Sequence, residues 1–221
     1  MPMNLDQETQ LPQKIPVFPL AGALLLPRAQ MPLNVFEPRY LAMIDDALKM
    51  PRIIGMIQPD ETKSGLPAHP ALYPTGCAGR ITQFAETGDG RYLVTLTGIA
   101  RFRMAEELIV TTPYRQCRVD FEPYARDLLP NDGADAVDRE ALLKILSTYL
   151  STNKIEADWQ GIRQSPTEAL VNGLSMLSPY GVKEKQALLE APDLKSRAEM
   201  LIAVTEITLA KDSGGGDLSM Q

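Results

Sequence analysis

Few side chains in this sequence are equipped for covalent or acid–base chemistry. The single histidine, His69, stands in the loop-like stretch LPAHPALYP. One histidine excludes H-E-x-x-H metal sites and every histidine-rich cluster. With no carboxylate or nucleophile beside it in sequence, His69 reads as a solvated loop residue rather than a general base. Two cysteines, Cys77 and Cys117, each fall in a strand-like run. Two thiols make no disulfide framework, and neither has a neighbouring base to lower its pKa. Both read as small, buried, reduced side chains. The sequence contains no G-x-x-x-x-G-K-[ST], so it lacks that phosphate cradle. No catalytic residue, metal site or cofactor is expected.

The sharpest polar constellation is FEPRY, with Phe36, Glu37, Arg39 and Tyr40 placed where a strand hands over to a short helix. Pro38 suits a first helical position, and a carboxylate is favoured near a helix N-terminus. One reading is a structural junction in which Arg39 pairs with an acid. The functional reading makes Phe36, Glu37, Arg39 and Tyr40 a rim that touches a peptide. Arg80, Arg101, Arg103, Arg115 and Arg118 fall in neighbouring strand-like runs. They read as a solvated strand face, because residues 1–125 carry 12 basic against 13 acidic side chains and the whole chain nets -6. Acidity of this size argues against nucleic acid as a partner. Trp159, the lone tryptophan, is expected to pack against a core or a contact between segments.

These residues must be positioned by two different kinds of element. In the first part, IPVFPL, MPLNVF and RIIGMIQP are short, apolar and proline-interrupted, as strands of a small irregular barrel are. Pro16, Pro19, Pro27 and Pro32 are expected at strand starts, edges or turns, with Val17, Phe18, Leu20, Leu24 to Leu26, Leu33, Val35 and Phe36 filling the interior. CAGRITQFAETGDGRYLVTLTGIARFRMAEEL carries Asp89-Gly90 between two strand-like runs, a hairpin signal. YRQCRVDFEPY adds a strand, and Leu41, Ile44 and Leu48 mark one short helix at helical spacing.

The second part is helical. VDREALLKILSTYL places Leu142, Ile145, Leu146 and Tyr149 on one face. SPTEALVNGLSML opens with Ser165, Pro166 and Glu168 in capping-box spacing. Two more helices follow, the last capped by Asp193. The resulting organisation is a disordered arm over 1–13, a β-rich part over 14–125, a helical part over 126–211 and a disordered tail over 212–221. No secretory leader or membrane-spanning run is evident, so a cytoplasmic protein with no membrane partner is expected.

Read in order, these segments resemble a known family. IPVFPL followed by LLPRAQMPLNVFEPRY resembles the opening of the Lon N-terminal, or LON substrate-binding, domain. GCAGRITQF and LVTLTGIARFRM resemble its later strands, and LVNGLSMLSPYGVKEKQALLEAPDLKSRAEMLIAVTE its helical end. The resemblance implies an α+β fold: a PUA-like pseudo-barrel of short strands with one short helix, followed by a C-terminal helical bundle. It implies a non-catalytic module that binds unfolded or partly folded polypeptides, alone or with a protease partner. It does not imply proteolysis, because the ATPase and Ser-Lys peptidase domains of full Lon proteases have no counterpart in these residues. A small-molecule or RNA-binding PUA-like module is the alternative. Oligomeric state is open.

Overall fold

The computed structural model describes residues 11–63 and 69–214. The sequence-predicted arm and tail lie mostly outside these residues. The chain divides into two compact units, Met1–Leu129 and Pro130–Gln221.

The first unit contains β1 (Lys14–Pro19), β2 (Gln30–Val35), α1 (Pro38–Leu48), β3 (Ile53–Pro59), β4 (Leu72–Thr87), β5 (Arg91–Glu107) and β6 (Gln116–Asp120). Their order in one mixed sheet is β2-β5-β4-β3-β1-β6. A further pairing of β5 with β6 closes β5-β4-β3-β1-β6 on itself, leaving β2 appended to β5. The hairpin signal is realised on a larger scale than its short runs imply: β4 has 16 residues and β5 has 17. They turn through Gly88-Asp89-Gly90, with Gly90 at φ +83°, the left-handed position that a three-residue hairpin loop requires. Register shifts at Ala78/Gly79 and Ile81/Gln83 mark bulges. Such bulges bend long strands. One half of β5 therefore serves the barrel while the other half pairs with β2.

The prolines are absorbed by divided pairing. In β1, Lys14 to Pro16 pair with β6, whereas Val17 to Pro19 pair with β3. Pro16 thus sits at the handover, where its missing N–H costs least. Ile15, Val17, Ile57, Phe102, Cys117 and Val119 form the centre of the barrel core. Three residues assigned to the interior from sequence are not fully buried: Leu33 is half-buried, Leu20 is 36% exposed and Phe36 is 62% exposed. The buried face of α1 also differs from the expected Leu41-Ile44-Leu48 stripe. It is Tyr40, Met43, Ile44 and Ala47, the i, i+3, i+4, i+7 pattern of a core-facing helix.

The arginines are not a uniform solvated face. Arg101 is buried and pairs with Asp127, its Nε and Nη2 reaching the two carboxylate oxygens at 2.8 Å each. The backbone N–H of Arg101 also donates to that carboxylate, and its guanidinium lies 4.5 Å from the Tyr124 ring. This pair anchors the 3-10 segment Glu122–Leu128 to β5. Arg115 is nearly buried as well, its side chain 12% exposed. Arg118 pairs with Glu106 on an exposed rung.

The second unit holds α2 (Arg139–Thr152), α3 (Trp159–Gln164), α4 (Thr167–Leu177), α5 (Val182–Glu190) and α6 (Leu194–Gly214). Leu142, Val171, Leu188, Leu194 and Leu201 are buried within it. Asp138 and Asp158 cap α2 and α3 by accepting from backbone amides. The predicted capping box at α4 does not form. Ser165 donates instead to the Gly161 carbonyl at 2.8 Å, and Glu168 accepts from the Asn131 amide at 2.9 Å. The carboxylate is drawn to a loop donor because α4 begins only at Thr167, with Pro166 flanking it. Asp193 does cap α6, accepting from the Ser196 amide at 2.8 Å. Trp159 opens α3 and is half-buried.

Candidate functional site

Of the four FEPRY candidates, Arg39 and Tyr40 line an open trough of about 550 Å³ in the first unit. Pro19 at the end of β1, Arg39 and Tyr40 at the start of α1, and His69 form one part of its lining. The rest comes from the β5–β6 connection, Glu107 to Val110 and Thr112 to Arg115.

Local chemistry explains how each group is held. Tyr40 is 5% exposed and its ring stacks on Phe18 with centroids 4.1 Å apart. Burial raises its phenol pKa, against the lowering effect of the Arg39 charge. Tyr40 is therefore wall rather than rim. Arg39 is the rim: its guanidinium lies 4.5 Å from the Tyr40 ring and donates from Nε to Glu37 at 2.9 Å. The Arg39 and Glu37 side chains are each 44% exposed, so their pair is solvent-screened. Glu37 and Phe36 stand outside the trough lining, and Glu37 acts on it only through Arg39.

On the opposite part, Glu107 collects three donors. Arg115 grips both its oxygens through Nε and Nη2, and His69 Nε2 lies 2.9 Å from Oε1. Burial pushes the Glu107 carboxyl up, but the bonds and charge of Arg115, with those of His69, bring it below the usual range. Arg115 also donates to the Pro70 carbonyl at 2.8 Å, tying the loop that carries His69 to this strand end. Below them Tyr114 donates to Asp46 at 2.8 Å. Burial first, then this carboxylate, pushes the Tyr114 phenol up to about 12. The bond from Tyr114, then that from Lys49, draws Asp46 below its ordinary value. His69 is thus a solvent-exposed loop residue, as expected, that also reaches the Glu107 carboxylate at the rim of the trough. The thiols lie elsewhere. Neither is in a disulfide and both are buried, and burial pushes Cys117 up to about 12.

What residue-by-residue reasoning missed is Leu108–Arg115. Its signal was present: LIVTTP is apolar and β-branched where a connection between strands is ordinarily polar and turn-rich. Ile109 is fully exposed. A second depression, of about 520 Å³, is lined by β2, β4 and β5 residues including Leu33, Phe84 and Leu93. It holds no charged side chain. Among the described residues, no group of histidine, cysteine or acidic side chains is arranged to hold a metal ion.

The model of the ATP-dependent protease La (LON) substrate-binding domain matches residues 14–205. The chain belongs to this family. Lon protease 2 of Myxococcus xanthus is 28% identical over 208 residues, covering 91% of this chain and 24% of the relative. Lon protease 2 of Sorangium cellulosum is 30% identical over 199 residues, 86% of this chain and 24% of the relative. The chain therefore spans about a quarter of the length of the curated relatives it matches. The crystal structure of a Lon N-terminal domain protein from Xanthomonas campestris superposes with TM-score 0.60 at 26% identity, covering 86% of this chain and 97% of that one. The N-terminal domain of Mycobacterium avium complex Lon protease gives TM-score 0.64 at 19% identity, over 87% and 98% of the two chains. The LON-domain fold, a closed mixed sheet with C-terminal helices, is the α+β architecture expected from the sequence.

Proposed function

We propose that this LON-domain chain is a non-catalytic module that captures unfolded or partly folded polypeptide in the trough beside Arg39. The observation that carries the reading is the trough itself, open and lined by apolar Pro19, Tyr40, Ile109 and Pro113 with a charged rim. Such a mixture suits a ligand that supplies apolar side chains and needs a few directional polar contacts. A catalytic reading finds less support. The titratable groups of the trough are engaged with one another, Glu107 with Arg115 and His69, and Tyr114 with Asp46. The RNA reading is weakened because Arg101 and Arg115 spend their charge on Asp127 and Glu107. Captured chains would be passed to a protease partner in the cytoplasm. Among the described residues no helix is long and apolar enough to cross a membrane.

The test is amide hydrogen exchange of the full chain with and without a saturating unfolded model polypeptide. Protection of residues 107–115 and of the start of α1 is expected. Saturable binding that protects a different surface moves the site, and absence of saturable binding removes the function.

A further inference from the structure

We propose that the trough takes its polypeptide as an added strand along Ile109–Thr112, with an acidic side chain of that strand seated on Arg39. This rests on the polypeptide-binding reading of the same trough.

Two independent features carry it. The first is an open stretch of backbone. Pairing of β5 with β6 runs to Glu107–Cys117 and ends with the Leu108 amide on the Gln116 carbonyl at 2.9 Å. Beyond it come Ile109, Val110, Thr111 and Thr112, four β-branched residues of the kind that favours extended chain. Among the described residues, their peptide N–H and C=O groups meet no hydrogen-bond partner. The backbone bends at Thr111 and Thr112, so the groups ready to pair are those of Ile109 and Val110, and an added strand draws out the rest of the stretch as it pairs. An incoming chain paired there is read through its main chain, which suits a module that must accept many sequences. Apolar side chains of the added strand gain contact with Ile109, which free solvent now surrounds.

The second feature is charge. The trough lining holds two guanidinium groups, Arg39 and Arg115, against one carboxylate, Glu107. Arg115 is committed to Glu107 and to the Pro70 carbonyl. Arg39 is not so committed, since among the described residues its carboxylate partner is the half-exposed Glu37 outside the lining. A ligand carboxylate therefore competes with Glu37 for Arg39 on nearly equal terms. This complementarity selects an acidic side chain over a basic one. It also makes Glu37 an internal competitor, a role that a bracing ion pair does not have.

Affinity measurements on the full chain decide the matter. The reference probe is an eight-residue, acetylated and amidated peptide of Val, Ile and Thr with one central Glu. Its Gln counterpart should bind about three- to tenfold more weakly, the effect of one partly exposed charge-assisted bond. N-methylation of alternate peptide amides on the pairing side should abolish binding. Glu37→Gln should tighten the Glu peptide by about two- to fivefold, with no gain for the Gln peptide. Equal affinity for the Glu and Gln peptides, or unimpaired binding of the N-methylated probe, overturns the inference while leaving the capture reading intact. So does a Gln peptide with a free C-terminus binding more tightly than the Glu probe, which would assign Arg39 to chain ends. No saturable binding by any probe instead removes the capture reading itself.

Discussion

Arg39→Ala separates a binding residue from a structural one, and the structure sets both magnitudes. Were Arg39 bracing the start of α1 through a buried pair, its loss would strand a buried carboxylate and cost about 3–5 kcal/mol. The observed pair is different. Arg39 and Glu37 are each 44% exposed, and freeing Glu37 returns it to water. A pair of this kind contributes about 0–1 kcal/mol. The guanidinium over the Tyr40 ring at 4.5 Å adds about 0.5–1 kcal/mol. Because both effects use one side chain, the total loss is expected near 1 kcal/mol. For a unit of this size that lowers the melting temperature by about 3–5 °C. Denaturant unfolding followed by circular dichroism gives the first quantity, and anisotropy of a labelled apolar peptide bearing one glutamate gives the second. Affinity should fall about three- to tenfold. A loss of 3 kcal/mol or more with unaltered peptide affinity refutes the reasoning and makes Arg39 a structural residue. Tyr40→Ala is no substitute. That ring is buried on Phe18, and its removal should cost about 3–5 kcal/mol whatever it binds.

Other consequences are independent of the ligand. Asp127→Ala leaves Arg101 buried without its carboxylate and should destabilise by about 3–5 kcal/mol in urea unfolding, whereas a change below 1 kcal/mol would mean water reaches the guanidinium. Gly98→Ala places a Cβ 2.0 Å from the Leu26 carbonyl oxygen and should cost about 3 kcal/mol or more, while Gly88→Ala meets nothing within 4 Å; similar melts for the two would contradict the close approach. Tyr114 has its pKa raised in the fold, so its contribution is full below pH 10 and lost as pH rises toward 12; Asp46 is lowered, so its contribution is present at neutral pH and lost on acidification. Tyr114→Phe should flatten the alkaline loss and reduce the acid loss in stability–pH curves, and unchanged curves would remove the bond from the ledger. Native Cys77 and Cys117 should resist a thiol reagent at pH 8 and react on unfolding; rapid labelling of the native chain would disprove their burial.

Much of the architecture was legible because local signals agreed with the fold. The Asp89-Gly90 turn, the alternating apolar runs around it and the helical spacing of Leu142, Leu146 and Tyr149 each reported a backbone period directly. What was not legible depended on neighbours distant in sequence. Ser165 and Glu168 have capping-box spacing, but the nearby Gly161 carbonyl and Asn131 amide outcompeted the helix start. Arg101 sits on a strand position that reads like a solvent-facing one and Arg115 just before β6, and only the return of Asp127 and the position of Glu107 reveal one as buried and the other as largely covered. Phe36 looked like core because it is aromatic and follows a strand, yet β2 is appended to β5 rather than enclosed.

The trough was half legible for the same reason. Arg39 and Tyr40 could be singled out from FEPRY, since proline and a helix start concentrate directional groups in five residues. The opposite wall could not, because Leu108–Arg115 looks like an ordinary apolar connection until β6 turns back and stops pairing after one more bond. That early stop is the physical origin of the trough's open backbone. Had the ladder continued, Ile109 to Thr112 would have spent their peptide groups on β6. Instead Thr112 accepts from the Gln116 amide and donates to the Tyr114 carbonyl, contacts that fold the connection back on itself. Tyr114 and Arg115 then tie its far end to Asp46 and Glu107. Side chains at the end of the connection thus hold open a backbone that the strand itself would otherwise have closed. Gln116→Ala should loosen this hold, raising hydrogen exchange at the Leu108 amide, the last to pair with the β6 side, while the barrel core remains protected. Unchanged exchange there would show that Tyr114 and Arg115 suffice.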